Sequence, residues 1–244
     1  MRSADAFRLA AVTLAVAAAA ACLAGCVSTQ QVATRARLVD ARIRAGQTRL
    51  RLGAANPDLR VVTVSEIESA RGTVIVAELR NTSPRAQTDL PVAITVRAHG
   101  ATHVVNSAAN TNYPDNHLVA IAAHGTASWI FSIRRRQRGW GHPAVRVGAS
   151  QISEPSLTTL PHLRVMSQGS DGASVSVTVT NLSGIPQDGL PVYAVATAAG
   201  RVRAAGRTII AHLDSSATTR VAVKLTGAAA GTTLGLTSIP TIFH

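Results

Sequence analysis

Cysteine is nearly absent from this 244-residue chain, which has two, Cys22 and Cys26, both near the N-terminus. Beyond residue 26 there is none, which excludes disulfides and thiolate zinc sites from everything that follows. Lysine is rarer still, with Lys224 alone. Aromatic residues make up 3% of the chain, and the folded part must be held by apolar burial and backbone pairing alone. Acidic residues are few as well: 12 Asp and Glu face 24 Lys and Arg, a formal net charge of +12. That leaves little for paired-carboxylate acid–base chemistry or for hard cations, which want several carboxylates together. What is abundant is arginine. In an Ala-rich chain this partly reflects a GC-rich genome, but arginine is also the better residue for bidentate contact with phosphate or carboxylate.

The N-terminus decides location. Arg2 and Arg8 form a basic region, Leu9 to Leu23 is apolar apart from Thr13, and Leu23-Ala24-Gly25-Cys26 closes the segment. The apolar run is too short to span a bilayer comfortably. The segment resembles a bacterial lipoprotein signal peptide with its lipobox. The resemblance implies removal of residues 1–25, diacylation of Cys26, and a chain anchored by lipid on the extracytoplasmic face of a membrane. Val27 follows the cysteine where an inner-membrane retention signal would have Asp, so in a diderm cell the expectation is the outer membrane. Export makes nucleic acid an unexpected partner. Anionic lipid or an envelope polymer suits a basic protein held at a membrane surface, as does a partner envelope protein.

Residues 26–56 read as a lipidated, Arg-rich tether. Arg35-Ala36-Arg37, Arg42-Ile43-Arg44 and Arg49-Leu50-Arg51 recur every seven residues, so on a helix the arginines would stack, with Val32, Ala36, Val39, Ile43 and Leu50 on an apolar face. Gly46 interrupts that helix. A solvated linker and a basic segment resting on anionic lipid both remain open.

Past Asn56 the pattern changes to period-two alternation broken by Gly, Pro, Asn and Ser, the mark of an all-β region. It contains a long repeat. Residues 75–100 align without gaps on 175–200: Asn81, Ser83, Gln87, Leu90, Pro91, Val92, Ala98 and Gly100 meet Asn181, Ser183, Gln187, Leu190, Pro191, Val192, Ala198 and Gly200. Ile75, Ala77 and Leu79 should face one way, as should Val175, Val177 and Val179. Pro57 to Val61 matches Pro161 to Val165, and Trp129, Phe131 and Ile133 match Val221, Val223 and Leu225. Two copies, each of six or seven short strands, predict two tandem antiparallel β-sandwiches at 57–152 and 157–244. The runs Val-Ala-Glu-Leu-Arg-Asn (76–81) and Val-Thr-Val-Thr-Asn (177–181), each leading to a turn and a Leu-Pro-Val strand start, resemble the immunoglobulin-like modules of bacterial envelope lipoproteins, loosely those of the FxLYD type. The resemblance implies a structural or binding module with no catalytic residues to carry over.

Asn81-Thr82-Ser83 and Asn181-Leu182-Ser183 read as turns in which Asn and Ser bond to local backbone. Between Gly100 and Ile121 the first copy carries eight residues more than the second has between Gly200 and Leu213. This insert gathers Asn110, Asn112, Tyr113, Asp115, Asn116 and His117, a candidate binding loop if it is more than a long hairpin connection. Arg134, Arg135, Arg136 and Arg138 beside Trp140 form the densest charge run. They are a candidate contact for an anionic surface, because the second copy has Thr226-Gly227-Ala228 in their place. No nucleophile elbow, no metal-binding helix and no paired carboxylates are present, and the histidines are scattered, so neither cofactor nor metal is expected. The expected function is a non-catalytic binding or adaptor module; a purely structural spacer is the alternative, and an enzyme with an unrecognised site comes third.

Overall fold

The computed structural model describes residues 50–70, 72–107, 112–133, 139–150 and 160–242. Cys26, the tether up to residue 49, Asn110 and the run Arg134 to Arg138 lie outside them. The all-β expectation holds: fourteen strands and one short helical turn make up the described chain.

Each repeat contributes seven strands. The first has β1 (Leu59–Ser69), β2 (Gly72–Asn81), β3 (Gln87–Ala98), β4 (Ala101–Val104), β5 (His117–Ile121), β6 (Thr126–Ile133) and β7 (Ala144–Val147), with the turn α1 (Tyr113–Asn116) before β5. The second has β8 (Leu163–Ser170), β9 (Ser174–Asn181), β10 (Gln187–Ala198), β11 (Arg201–Leu213), β12 (Thr218–Lys224), β13 (Thr226–Gly227) and β14 (Thr233–Ser238). In the first, β1-β2-β6 form one sheet and β3 pairs with β4, β5 and β7 to form the other. In the second, β8-β9-β12 and β13-β11-β10-β14 do the same. Equivalent residues keep equivalent partners. Leu59 opposes Asn81 as Leu163 opposes Asn181, and Ala77 opposes Trp129 as Val177 opposes Val221.

Alternation builds each core. Val175, Val177 and Val179 are buried, while the Ser and Thr between them are half-buried on the outer face. In the first repeat Ile75, Ala77, Leu79 and Trp129 fill the equivalent space. Trp129 is fully buried, and its indole N–H donates to the carbonyls of Pro114 and His117 at 3.1 and 3.2 Å, so the largest core residue also fixes α1 and the start of β5. The two turn asparagines are buried in the same way. Asn81 Nδ2 donates to the carbonyls of Arg85 and Ala122, and Asn181 Nδ2 to those of Ile185 and Asp214. Each clamps the turn after its strand to the loop before the next paired strand.

The repeats are not strung out as beads. On β2 the outward residues Val74 and Val76 are buried as deeply as the inward ones. With Ile67 and Ile130 they form an apolar outer face, and Tyr193, Val195 and Ala205 from the outer face of β10 and β11 belong to the same cluster. The result is four stacked sheets: β3 with its partners, β1-β2-β6, then β10-β11, then β8-β9-β12. Close approach is essential at the join. A Cβ on Gly227, whose φ is +104°, would stand 2.9 Å from Ile67 Cγ2 and 2.2 Å from the Arg203 carbonyl oxygen. The stack ends with the second repeat because Ser174 and Ser176 stand where the first has Val74 and Val76. Burying one Val or Ile face residue is worth about 1.5–3 kcal/mol, so that exchange removes the drive to add another layer.

Strand direction gives the molecule two distinct ends. At one, which we call the entry end, lie the lead-ins to β1 and β8 and both asparagine turns. There Asn56 N–H donates to the Val147 carbonyl at 3.1 Å, Ala149 N–H to that of Ala54 at 2.9 Å, and Asn56 Nδ2 to Gln87 Oε1 at 2.6 Å. The segment leading in from the tether is thereby tied down. At the other, the tip end, lie the β1–β2 turn and the hairpin turns His99-Gly100 and Ala199-Gly200. The contact of Ile67 near the end of β1 with Gly227, which pairs with Ala204, aligns the tips of the two repeats.

Candidate functional site

Two regions carry the polar side chains singled out above. The first is the insert, which the structure turns inward. Asn106, at its start, is fully buried. Its Oδ1 accepts the Ile94 N–H at 2.8 Å, and its Nδ2 donates to the carbonyls of Val92 at 2.7 Å and Asp115 at 3.0 Å. One carboxamide thus fills the gap in pairing along β3 between β4 and β5, where the second repeat has the uninterrupted β11. Asn112 opens α1 in a capping box with Asp115, whose Oδ2 accepts the Asn112 N–H at 2.9 Å.

Of the candidate loop residues, Asn116 and His117 are buried, Tyr113 and Asp115 are half-buried, and Asn112 is exposed. The Tyr113 and His117 rings stack with centroids 4.6 Å apart. Tyr113 Oη donates to Asp89 Oδ1 at 2.5 Å, and His117 Nε2 lies 3.9 Å from the same oxygen. Burial pushes the His117 imidazole below its ordinary value, against the pull of Asp89.

Asp115 reaches across to the second repeat. Its carboxylate holds the Arg207 guanidinium, and Arg207 Nη1 also donates to the carbonyls of Pro114 at 2.8 Å and Ile130 at 3.3 Å. Ile130 lies on the open edge of β6, so Arg207 satisfies an edge carbonyl as it joins the repeats. Tyr193, its partner across the hairpin, is buried beside it. Its hydroxyl makes no hydrogen bond of ordinary geometry among the described residues; burial raises it to about 12, with the Arg207 charge opposing. The insert, a candidate binding loop or a long hairpin connection by its sequence, forms an internal joint at its described residues Tyr113, Asp115, Asn116 and His117. Nothing in the sequence around Arg207 marks it as a functional residue. Its only signal was a cation among the outward residues Tyr193, Val195 and Ala205, which are otherwise apolar.

The second region is the tip end. Gly141 N–H donates to the Arg97 carbonyl at 2.8 Å, and Gly139 lies against the His99 ring. The segment after the basic run is thereby folded over the β3–β4 turn, which puts half-buried Trp140 and exposed His142 beside Arg97 and His99. In the second repeat Arg201 and Arg203 rise from the matching turn, both exposed. Among the described residues the acidic groups at this end are Glu66, Glu68 and Asp171. Asp171 is occupied by the N–H groups of Ser174 and Ala173, which hold its carboxyl below the usual range. Among the described residues no group of three His, Cys, Asp or Glu is placed to hold a metal ion, and no helix is long and apolar enough to cross a membrane.

No family model matches the chain, and no curated protein matches it. Among solved structures, a red sea bream transglutaminase aligns over 74% of this chain and 31% of its own length, at 13% identity and a TM-score of 0.20. The chain thus spans about a third of that protein, and a likeness of this size carries no argument about fold or activity.

Proposed function

We propose that this protein is a lipid-anchored, extracytoplasmic, non-catalytic adaptor, tethered through Cys26 and engaging an anionic envelope component at its tip end. The observation that carries this reading is the polarity of the molecule. The lead-in from the tether is tied down at one end, where exposed Arg60, Arg80, Arg85 and Arg164 also lie, and Arg97, His99, His142, Trp140, Arg201 and Arg203 gather at the free end. β3 is one of the strands that run between the two ends, and its 12 residues cover about 40 Å. Arg134, Arg135, Arg136 and Arg138 connect Ile133 to Gly139, both at the tip end, and in this reading they add to the same charge.

The Asp115–Arg207 joint favours one second reading, a rigid spacer that only holds something away from the membrane. Binding separates the two. The test is sedimentation of the protein with isolated cell-wall polymer and with vesicles, at low and high salt. Salt-sensitive binding lost on replacing Arg97 and Arg201 by Ser supports the adaptor, and indifference to both supports the spacer. In parallel, Cys26→Ser should abolish lipid labelling and processing; unchanged labelling would remove the anchor from the proposal.

A further inference from the structure

We propose that the two tips act together as a two-point contact for one extended polyanion, a chain carrying repeated phosphate or carboxylate groups; this rests on the reading that the tip end is the binding end. The two hairpin turns are copies of one another. His99-Gly100 and Ala199-Gly200 share the same left-handed pair of conformations, with φ of 51° and 79° in the first and 48° and 72° in the second. Each is flanked by exposed arginine: Arg97 on the strand entering the first, Arg201 and Arg203 on the strand leaving the second. Trp140 and His142 add a stacking face and a further nitrogen donor to the first tip. The stacking of the repeats, locked by Arg207 on Pro114, Asp115 and Ile130, keeps the tips from moving independently.

The sheets that carry the two tips are separated by β1-β2-β6, two inter-sheet steps of about 10 Å each, so the tips stand roughly 20 Å apart. A single phosphate cannot reach both; a flexible polymer can. Arginine's planar fork matches phosphate and carboxylate oxygens, which suits discrete anionic groups along a chain. A bilayer fits less well. The large apolar side chains most exposed among the described residues, Val61, Val62, Val104, Met166, Leu182 and Ile209, lie off the two turns, and only Trp140 offers an interfacial ring there.

The experiment compares inorganic tripolyphosphate with polyphosphate of about 60 units, using the full lipidated chain in neutral detergent. The variants are Arg97→Ser/His99→Ser, Arg201→Ser/Arg203→Ser, and all four together. Every variant keeps the same tether and the same Arg134–Arg138 run, so differences among them report the tips. Two-point binding predicts that either pair weakens the long polymer at least tenfold while changing tripolyphosphate severalfold at most, because the second contact acts through effective concentration. If the first pair abolishes binding and the second changes nothing, the two-point contact is overturned while the adaptor reading stands. If all four substitutions leave polyphosphate binding unchanged, the tip end is not the binding end and both fall. Binding to vesicles of anionic lipid, with none to polyphosphate of either length, would overturn the polymer in favour of a membrane.

Discussion

Arg207 and Asp115 are 92 residues apart and belong to different repeats, yet they form an ion pair in which both side chains are about seven-eighths buried. A pair so placed resists loss of one partner far more than loss of both, because a lone charge is left without water or counter-ion. Arg207→Met should therefore cost about 3–5 kcal/mol, and Asp115→Asn somewhat less. Arg207→Met/Asp115→Asn should cost less than the two single changes added together. Urea denaturation of the four proteins gives the cycle; strict additivity would mean that the two residues do not depend on each other.

Asn106 replaces a strand with a side chain. In Asn106→Ala the Ile94 N–H and the Val92 carbonyl lose their partners in a buried place, at about 1–3 kcal/mol for each group left unsatisfied. Asn106→Asp keeps the acceptor for Ile94 but sets a charge against the Val92 carbonyl, so it should not rescue stability. Hydrogen exchange at the Ile94 amide reads this directly: it should quicken in both variants, and unchanged protection would show that the carboxamide is dispensable.

Ala199 holds a φ of +48° at the first central position of its hairpin turn, a conformation that costs an ordinary L-residue about 1–2 kcal/mol. Asparagine tolerates it and is favoured in such turns. Ala199→Asn should raise stability by about 0.5–1 kcal/mol and shift the thermal midpoint upward by a few degrees. The side chain is exposed, so no lost contact offsets the gain. A midpoint that falls would point to a role for the Ala199 methyl group that its exposure does not suggest.

Two histidines should show opposite pH behaviour. Hydrogen bonds that its ring N–H groups donate to Asp188 and then Asp214 raise His212 above its ordinary 6.5, which favours the imidazolium in the fold. Its contribution is full below 6.5 and is lost as the pH rises through the folded value; because His212 is exposed, the effect stays under about 1 kcal/mol. Burial lowers His117, so the fold favours the neutral ring, and stability falls as the pH drops below 6.5 toward its folded value. Proton NMR of the ring hydrogens should find His212 titrating above 6.5 and His117 below it. In His212→Ala the loss of stability on the alkaline side should disappear, leaving the acid-side loss from His117.

The all-β class, a repeat unit of six or seven strands and the inward residues Val175, Val177 and Val179 follow from the sequence alone, because period-two alternation and turn residues act locally and recur in both copies. The turns at Asn81 and Asn181 follow from it too, but the burial of these side chains and their bonds to the distant Ala122 and Asp214 carbonyls do not. The join between the repeats was half visible: Val74-Ile75-Val76-Ala77 is apolar on both faces of its strand, while Ser174 and Ser176 break the matching run. A strand buried on both sides reads that way, but nothing in the run names what covers it. The insert shows the limit more sharply. Tyr113, Asp115, Asn116 and His117 have the composition of an open loop, since turn formers and polar groups look alike whether they face water or a partner. Tertiary structure alone brings Arg207 across to Asp115, because an ion pair between distant segments depends on how two sheets stack, and no local rule encodes that.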